Sequence, residues 1–406
     1  MRILLFHNRY QLPSGEDTVL EHEMDLLRGH GHTLEVVIVG NKNLNINNIF
    51  SSMCIGLQTI WNHNSKKIVQ NAIENFQPDI IHIHNFFPIY SPSIYWAISK
   101  YKIPIVQTLH NYRIICANGL LFRDEHPCEL CIGRKVPLPA VIYKCYRNSR
   151  IATLPLFFMQ LFHKFIGTFQ FKIDAYIVLT QFAREKFLLG GLKEDKVFIK
   201  PNFIPDPLPA AKLNPMRSRK KQFIFVGRLA YEKGVDLILE AWNEIKLPDW
   251  TLIIVGDGPD RHKLQSNFRE VEGVEWTGWL EKREIMDLIS HSSFLILASR
   301  WFEGFPMVLL EAISMGTPVV APNHGSFSEI ISNGKMGLLF EPNNVPSLSN
   351  TLASLTKLPA RNLDIMSQNA REAFENYYSS ERNYNKILEI YNKVLNKTNE
   401  DINLRD

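Results

Sequence analysis

Short apolar runs of strand length alternate with helical patterns from the first residues onward, and this alternation restricts the chain to an α/β architecture more tightly than anything else in it. Runs at 2–6, 33–39, 79–84, 104–108, 174–179 and 196–200 read as strands, separated by helical patterns such as 16–28 and 66–75. Units of this kind close into parallel sheets covered on both faces. Ligands of such sheets bind at the carboxyl ends of the strands. The residues after Phe6, Thr108 and Leu179 are therefore the first places to look for chemistry.

The alternation stops once. Residues 201–221 hold five prolines and end in the basic run Arg217-Ser218-Arg219-Lys220-Lys221, which is linker composition. Strand runs then resume at 222–226, 251–255, 294–297 and 318–320, with helical patterns at 234–246, 281–291 and 306–315. At 406 residues the chain exceeds what one hydrophobic core serves well. The expected organisation is an N-terminal α/β domain over 1–200 with a cysteine-bearing insert at about 111–150, a linker over 201–221, a second α/β domain over 222–380, and a C-terminal helix and tail over 381–406. The stretch 360–395 reads as one helix, with Leu388, Ile390, Tyr391 and Leu395 as apolar positions that fit either domain.

Composition narrows the setting. Apolar residues make up 45% and charged residues 21%, the profile of a soluble globular protein. A net charge of +4 gives no ground for expecting a nucleic-acid partner. The apolar run Ile3-Leu4-Leu5-Phe6 is too short for a signal-peptide core, and five cysteines suit a disulfide framework poorly. The expected compartment is the cytoplasm.

Three segments of the second half carry chemistry, each just beyond an expected strand. Gly227-Arg228-Leu229-Ala230-Tyr231-Glu232-Lys233-Gly234 joins turn-forming glycines to two cations, as a diphosphate requires; the alternative is two solvated surface charges. Gly256-Asp257-Gly258-Pro259 is a turn by composition and a plausible nucleotide wall. Trp301-Phe302-Glu303-Gly304-Phe305-Pro306 precedes a helix bearing Glu311. With Pro306 at the first helical position, Glu303 sits in the loop and Glu311 about 7–8 Å along the axis. The helix start aims free N–H groups at an anion. An isolated pair of this kind would be only a loop acid and a dipole-favoured helix charge.

Taken together, G-R-L-x-x-E-K-G, then G-D-G-P, then E-x7-E resembles the retaining glycosyltransferases of family four, and the resemblance spans most of the chain. It implies the GT-B architecture, two Rossmann-like domains with a deep interdomain cleft. It implies Arg228 and Lys233 on the donor diphosphate, Glu303 on the donor sugar and Glu311 on the ribose. Gly227, Gly256, Gly258, Gly304, Phe305 and Pro306 complete the donor wall, and Gly325, Ser326 and Glu329 belong to a later nucleotide-side loop. The implied activity is hexosyl transfer from a nucleoside-diphosphate sugar to a glycan or lipid-linked hydroxyl acceptor, in bacterial surface polysaccharide or lipopolysaccharide assembly. No cofactor is needed for that chemistry, and no Asp-x-Asp pair occurs in the sequence. The rival readings are a GT-B protein that binds nucleotide or glycan without turnover, and a hydrolase or epimerase of the nucleotide sugar.

In the first half, Pro13-Ser14-Gly15-Glu16 opens a helix where the family commonly has two glycines beside the donor phosphate. Ser14 replaces the first, where it also suits an N-cap, and Gly15 retains the permissive backbone. The family places a catalytic-site histidine where His110 stands. His82 and His84 share one strand face; His84 is nearer the carboxyl edge and His82 is expected to be structural. Cys116, Cys128, Cys131 and Cys145 form C-x11-C-x2-C-x13-C, which suits either a structural zinc or packed reduced thiols; Cys54 stands apart. Five cations and no acid occupy 134–150. The following stretch, 151–171, sets Leu154, Phe158, Leu161, Phe162, Phe165 and Phe169 on one helical face, with Gln160, His163, Lys164 and Gly167 on the other. Burial of that stripe in the core is the default. The alternative is an interfacial helix holding the protein peripherally on the inner face of the cytoplasmic membrane.

Overall fold

The computed structural model describes residues 1–10, 15–40, 49–208, 213–332 and 334–403. The expectations for Pro13 and Ser14 lie outside the described residues, as does the Cys54 side chain. The chain divides into two compact units: Met1–Arg123 with Cys128–Asn202 and Asn383–Asp406, and Asp124–Pro127 with Phe203–Arg382.

The first unit runs β1 (Arg2–Arg9), α1 (Gly15–Gly29), β2 (Thr33–Gly40), α2 (Ile49–Ile60), α3 (His63–Phe76), β3 (Ile80–Asn85), α4 (Ser93–Ile98) and β4 (Ile105–Leu109). The insert follows, with the short strands β5 (Phe122–Arg123) and β6 (His126–Pro127) and helices α5 (Pro139–Ile142), α6 (Arg150–Phe165) and α7 (Thr168–Phe171). The unit closes with β7 (Ala175–Val178), α8 (Gln181–Leu189) and β8 (Val197–Ile199). Its sheet has the order β2-β1-β3-β4-β7-β8, with every pairing parallel. Central strands buried on both faces need unbroken apolar runs, and Ile3, Leu4, Leu5 and Phe6 of β1 are fully buried. The boundary of α3 is set by local chemistry: the Asn62 side chain accepts from the amides of Asn64 and Ser65, satisfying two of the donors a helix start leaves free.

The second unit runs β9 (Lys220–Val226), α9 (Val235–Ile245), β10 (Thr251–Val255), α10 (Arg261–Asn267), β11 (Val274–Gly278), α11 (Lys282–His291), β12 (Ser292–Ile296) and α12 (Met307–Ser314). It continues through β13 (Val319–Pro322), α13 (Gly325–Ile330), β14 (Gly337–Phe340), α14 (Val345–Thr356) and α15 (Ala360–Ala373). The parallel sheet has the order β11-β10-β9-β12-β13-β14. Strand order reverses between β9 and β12 here, and between β1 and β3 in the first unit. Such switch points are where open α/β sheets bind ligands.

Three expectations need correction. The 360–395 stretch is two helices: a π-turn over Phe374–Tyr378 and an extended Ser379 end α15 before α16 (Ser380–Asn403) begins. Helix α16 lies on the first unit, where Ile387, Ile390, Tyr391 and Val394 join the core of Ile3, Leu5, Val106 and Ile177. The 151–171 stretch likewise breaks at Gly167, whose φ of 68° is left-handed; an added Cβ there would lie 2.4 Å from the Phe171 ring. The expected strands omit two, β11 and β14, the edges of the second sheet: β11 reads Val-Glu-Trp-Thr-Gly with no apolar run, and β14, Gly-Leu-Leu-Phe, is only four residues long.

Candidate functional site

At the switch point of the second unit, β9 feeds Gly227–Gly234 and β12 feeds the segment through Pro306. The two loops are interlocked. Gly234 has a φ of 66° and opens α9, and a Cβ on it would lie 2.1 Å from the Ala298 carbonyl oxygen. Arg300 forks onto Asp236 with two bonds of 2.7 Å and donates to the Tyr231 carbonyl at 2.8 Å. A fork of this geometry fixes orientation as well as adding energy. A third loop joins them: the Leu229 amide donates to the Asp257 carbonyl at 2.9 Å, and a Cβ on Gly256 would lie 1.9 Å from the Gly227 carbonyl oxygen. Glycine at 256 is a packing requirement.

Glu303 and Lys233 meet in this frame. Oε1 of Glu303 accepts from Lys233 Nζ at 2.5 Å, Ser299 Oγ at 2.7 Å and Trp301 Nε1 at 3.0 Å. The carboxylate is buried, while the lysine side chain keeps about a quarter of its surface exposed. Arg228 is exposed, and its guanidinium engages no side chain among the described residues. The structure thus brings Lys233 to Glu303 and leaves Arg228 facing outward. Pro306 is the cap residue of α12 and Met307 its first residue, a shift of one from expectation; no side chain caps the helix start. Glu311 lies in its second turn, buried, and is paired with Lys282. Gly304 is partly exposed. Phe305 is buried, its ring centroid 5.7 Å from that of Tyr378.

Gly325 opens α13 against Phe302, and a Cβ on it would stand 3.1 Å from that ring. Beside it, His324 Nε2 bonds the Ser299 carbonyl oxygen at 2.9 Å. The imidazole's other nitrogen, like the hydroxyl of Ser326, is buried without a partner among the described residues. Burial lowers the His324 pKa, only partly offset by the Ser299 carbonyl and Glu303. Ser299, Arg300 and Asp236, Lys282 and His324 were missed from sequence, since none forms a local pattern.

The first unit builds differently. His110 follows β4 and is partly exposed; its Nε2 lies 3.1 Å from His84 Nδ1. His84 Nε2 lies 3.0 Å from Glu23 Oε1, and Lys200 Nζ donates to Glu23 Oε2 at 2.8 Å and to Asn383 at 3.0 Å. Glu23, His84, Lys200 and Asn383 are all buried. Burial raises the Glu23 carboxyl, but Lys200, His84 and His82 together hold it well below the ordinary value. Burial and then His82 lower His84 to about 4. Burial, then His84 and His7, keep His110 neutral, well below 6.5.

The tautomers follow from the network. An ionised Glu23 accepts, so His84 carries its proton on Nε2 and offers a bare Nδ1. His110 therefore donates from Nε2, and its own Nδ1 is left as an acceptor. His82 is structural in its contacts, bonded to Tyr391 and Thr108 at 2.7 Å each. Among the described residues, Glu23, His82 and His84 are the one group of three metal-ligand side chains with donor atoms within 4.8 Å of one another. An ammonium already 2.8 Å from the carboxylate makes this a compensated ion network rather than a cation site.

Glu16, in the first turn of α1, accepts from Asn111 at 3.0 Å, while its Oε2 is buried without a partner among the described residues. Burial pushes its carboxyl up to about 7 despite the Asn111 bond. Gly15, the first residue of that helix, is exposed. No disulfide joins Cys116, Cys128, Cys131 and Cys145. Burial, with Cys116, Cys145 and Cys128 nearby, drives the Cys131 thiol up to about 12. Their sulfurs do not come within 4.8 Å of one another as a set of three.

Two family profiles match the chain: glycosyltransferase family 4 over residues 14–206 and glycosyl transferases group 1 over residues 211–373. Among curated relatives, the chain is 32% identical over 295 residues to the glycogen synthase of Mycobacterium tuberculosis, covering 70% of this chain and 62% of that protein. It is 28% identical over 217 residues to the lipopolysaccharide 1,6-galactosyltransferase of Escherichia coli, covering 51% of this chain and 58% of that one. The chain thus spans less than two thirds of these relatives' length. Among solved structures, a glycosyltransferase from Rickettsia africae superposes with a TM-score of 0.68 at 20% identity, covering 97% of this chain and 99% of the other. Anabaena HepE in complex with UDP and glucose gives 0.63 at 17% identity, covering 95% and 98%.

Proposed function

Because the chain belongs to the group 1 and family 4 glycosyltransferases of GT-B fold, we propose that it transfers a sugar from a nucleoside-diphosphate sugar to a hydroxyl acceptor, with retention at the anomeric carbon. The bond from the anomeric carbon to the diphosphate breaks, the acceptor oxygen bonds the same face, and the acceptor proton passes to the departing diphosphate. Lys233 and Arg228 stabilise the charge that develops on that group, and oriented cations acting there lower the barrier. Glu303 accepts from the sugar hydroxyls and Glu311 from the ribose. His110 offers its bare Nδ1 to a substrate hydroxyl. The observation that carries the reading is the buried Glu303 joined to Lys233 at the switch point, an acceptor and a cation supplied by two interlocked loops.

A glycan or lipid-linked acceptor of surface polysaccharide assembly fits the kind of relative the chain has, such as the Escherichia coli galactosyltransferase. This chemistry needs no cofactor. A structural zinc on the four cysteines remains a proposal that requires the ion to draw the sulfurs together; metal analysis of reduced protein showing one zinc per chain would support it, and metal-free protein would refute it.

The test is a panel of nucleotide sugars assayed by thermal shift and by turnover, on the protein and on Glu311→Ala and Arg228→Ala. Donor consumption only in the presence of acceptor, with binding weakened by Glu311→Ala, is expected. Consumption without acceptor would make the protein a hydrolase, and binding without consumption a scaffold.

A further inference from the structure

Helix α6 turns Thr153, Gln160 and His163 inward. Gln160 is buried and donates to the Arg113 carbonyl at 2.8 Å. His163 is fully buried, bonded to Thr168 Oγ1 and to the Ile60 carbonyl oxygen at 2.8 Å each. With those side chains held inside, the aromatic stripe points away from the core. Ile151 is 82% exposed, Leu154 37%, Phe158 47%, Phe162 40% and Phe165 88%. Their spacing of three, four, four and three residues is one continuous helical face. The default reading of the stripe as buried core is therefore overturned, except at Leu161, which is half-buried, and at Phe169, which lies beyond the helix break and is buried.

Exposed single apolar residues are ordinary, but a contiguous patch marks an interaction site. The insert beside the helix extends it with exposed Val136, Leu138, Ile142 and Tyr143. The two segments are tied together: Lys164 Nζ donates to the Arg134 carbonyl at 2.9 Å, and the Tyr146 amide donates to Thr153 Oγ1 at 3.1 Å. Arg134, Lys135, Lys144, Arg147 and Arg150 are all exposed, and residues 130–173 contain no aspartate or glutamate.

We infer that α6 and the adjoining insert form a docking face for an anionic lipid surface. Aromatic side chains enter the headgroup boundary while the surrounding cations meet lipid phosphates, the chemistry of an interfacial amphipathic helix. The charge argues against a second copy as occupant, because two such faces would oppose uncompensated cations. No helix among the described residues is long and apolar enough to cross a membrane, so the contact is peripheral. The inference rests on the transfer reading only for what the surface presents, a lipid-linked acceptor.

The test is flotation of the full chain with vesicles of phosphatidylglycerol and phosphatidylcholine, and with phosphatidylcholine alone. Binding is expected to the first, falling with added salt. The triple variant Phe158→Ser/Phe162→Ser/Phe165→Ser should lose it by at least about tenfold. Arg147→Glu/Arg150→Glu should weaken it by roughly fivefold or more for each cation removed. Thermal melts of both variants check folding, and turnover on a water-soluble acceptor should be unchanged. No binding to anionic vesicles, or equal binding by the folded triple variant, overturns the inference. So does a dimer by light scattering that the triple variant dissociates. Failure of soluble turnover in all forms would instead sink the transfer reading and leave the docking face standing.

Discussion

Both units hold acid–base pairs at the carboxyl ends of their strands, yet the pairs are built to opposite rules. Beneath His110, Glu23 and Lys200 are sealed from solvent and every charge is consumed by another protein group. At the second switch point, Glu303 and Glu311 are buried, but their lysines are not: Lys233 is about a quarter exposed and Lys282 about half. A sealed network holds geometry. A pair with one mobile, solvent-facing partner can exchange that partner for a ligand. The first arrangement is a scaffold for one imidazole; under the proposed transfer, the second is where a donor would displace the lysines.

The hardest way to break this comparison is to remove Lys200. Deleting one member of a buried ion pair leaves an uncompensated charge and costs about 3–5 kcal/mol. Lys200→Met should therefore destabilise the protein by that order in denaturant unfolding. If Lys200→Met is silent, the network is not the sealed scaffold described.

Lys233→Ala should do the reverse. Lys233 is about a quarter exposed, and Ser299 and Trp301 still donate to Glu303 when it is gone. Stability therefore changes less than in Lys200→Met, while turnover falls about 10²–10³-fold, as when an oriented donor to developing charge is lost. A melt shifted as far as that of Lys200→Met would show that Lys233 holds structure, and the two sites would then be alike.

The same contrast explains what could be read from sequence. In the second unit, cations, glycines and acids lie within short motifs directly after strands, because interlocked loops demand glycine at fixed positions such as 256 and 234. The network in the first unit draws on Glu23, His84, His110, Lys200 and Asn383, which share no local pattern. His84 could be placed at the strand edge by its period, but nothing marks Glu23 as its partner, or Asn383 on a helix expected to fit either domain. The α6 stripe was visible as periodicity. Its direction was not, because the burial of Gln160 and His163 depends on the carbonyls of Arg113 and Ile60.

Acid sharpens the comparison further. His84 titrates near 4 when folded and near 6.5 when unfolded, so between those values the unfolded chain binds more protons. Its contribution is complete above about pH 6.5 and is lost as pH falls toward 4; the depressed Glu23 carboxyl acts in the same direction at lower pH. Urea unfolding at pH 7 and pH 5 should show lower stability at pH 5, with the dependence flattened in His84→Asn. An unchanged slope in that variant would assign the acid sensitivity elsewhere.

The smallest effect concerns Glu16, whose Oε2 is buried and unpartnered among the described residues. Its carboxyl is raised by burial to about 7, against 4.5 in the unfolded chain, so between those values the folded state binds the extra proton. The stability this gives is complete below about pH 4.5 and disappears as pH rises through 7, the opposite sign to His84. Glu16→Gln keeps an acceptor for Asn111 and removes the ionisation. It should raise stability at pH 8 by on the order of 1 kcal/mol and change little at pH 5. Were the variant instead less stable at pH 8, the ionised Glu16 would be a paired charge like Glu23, and the strand ends of the first unit would be sealed throughout.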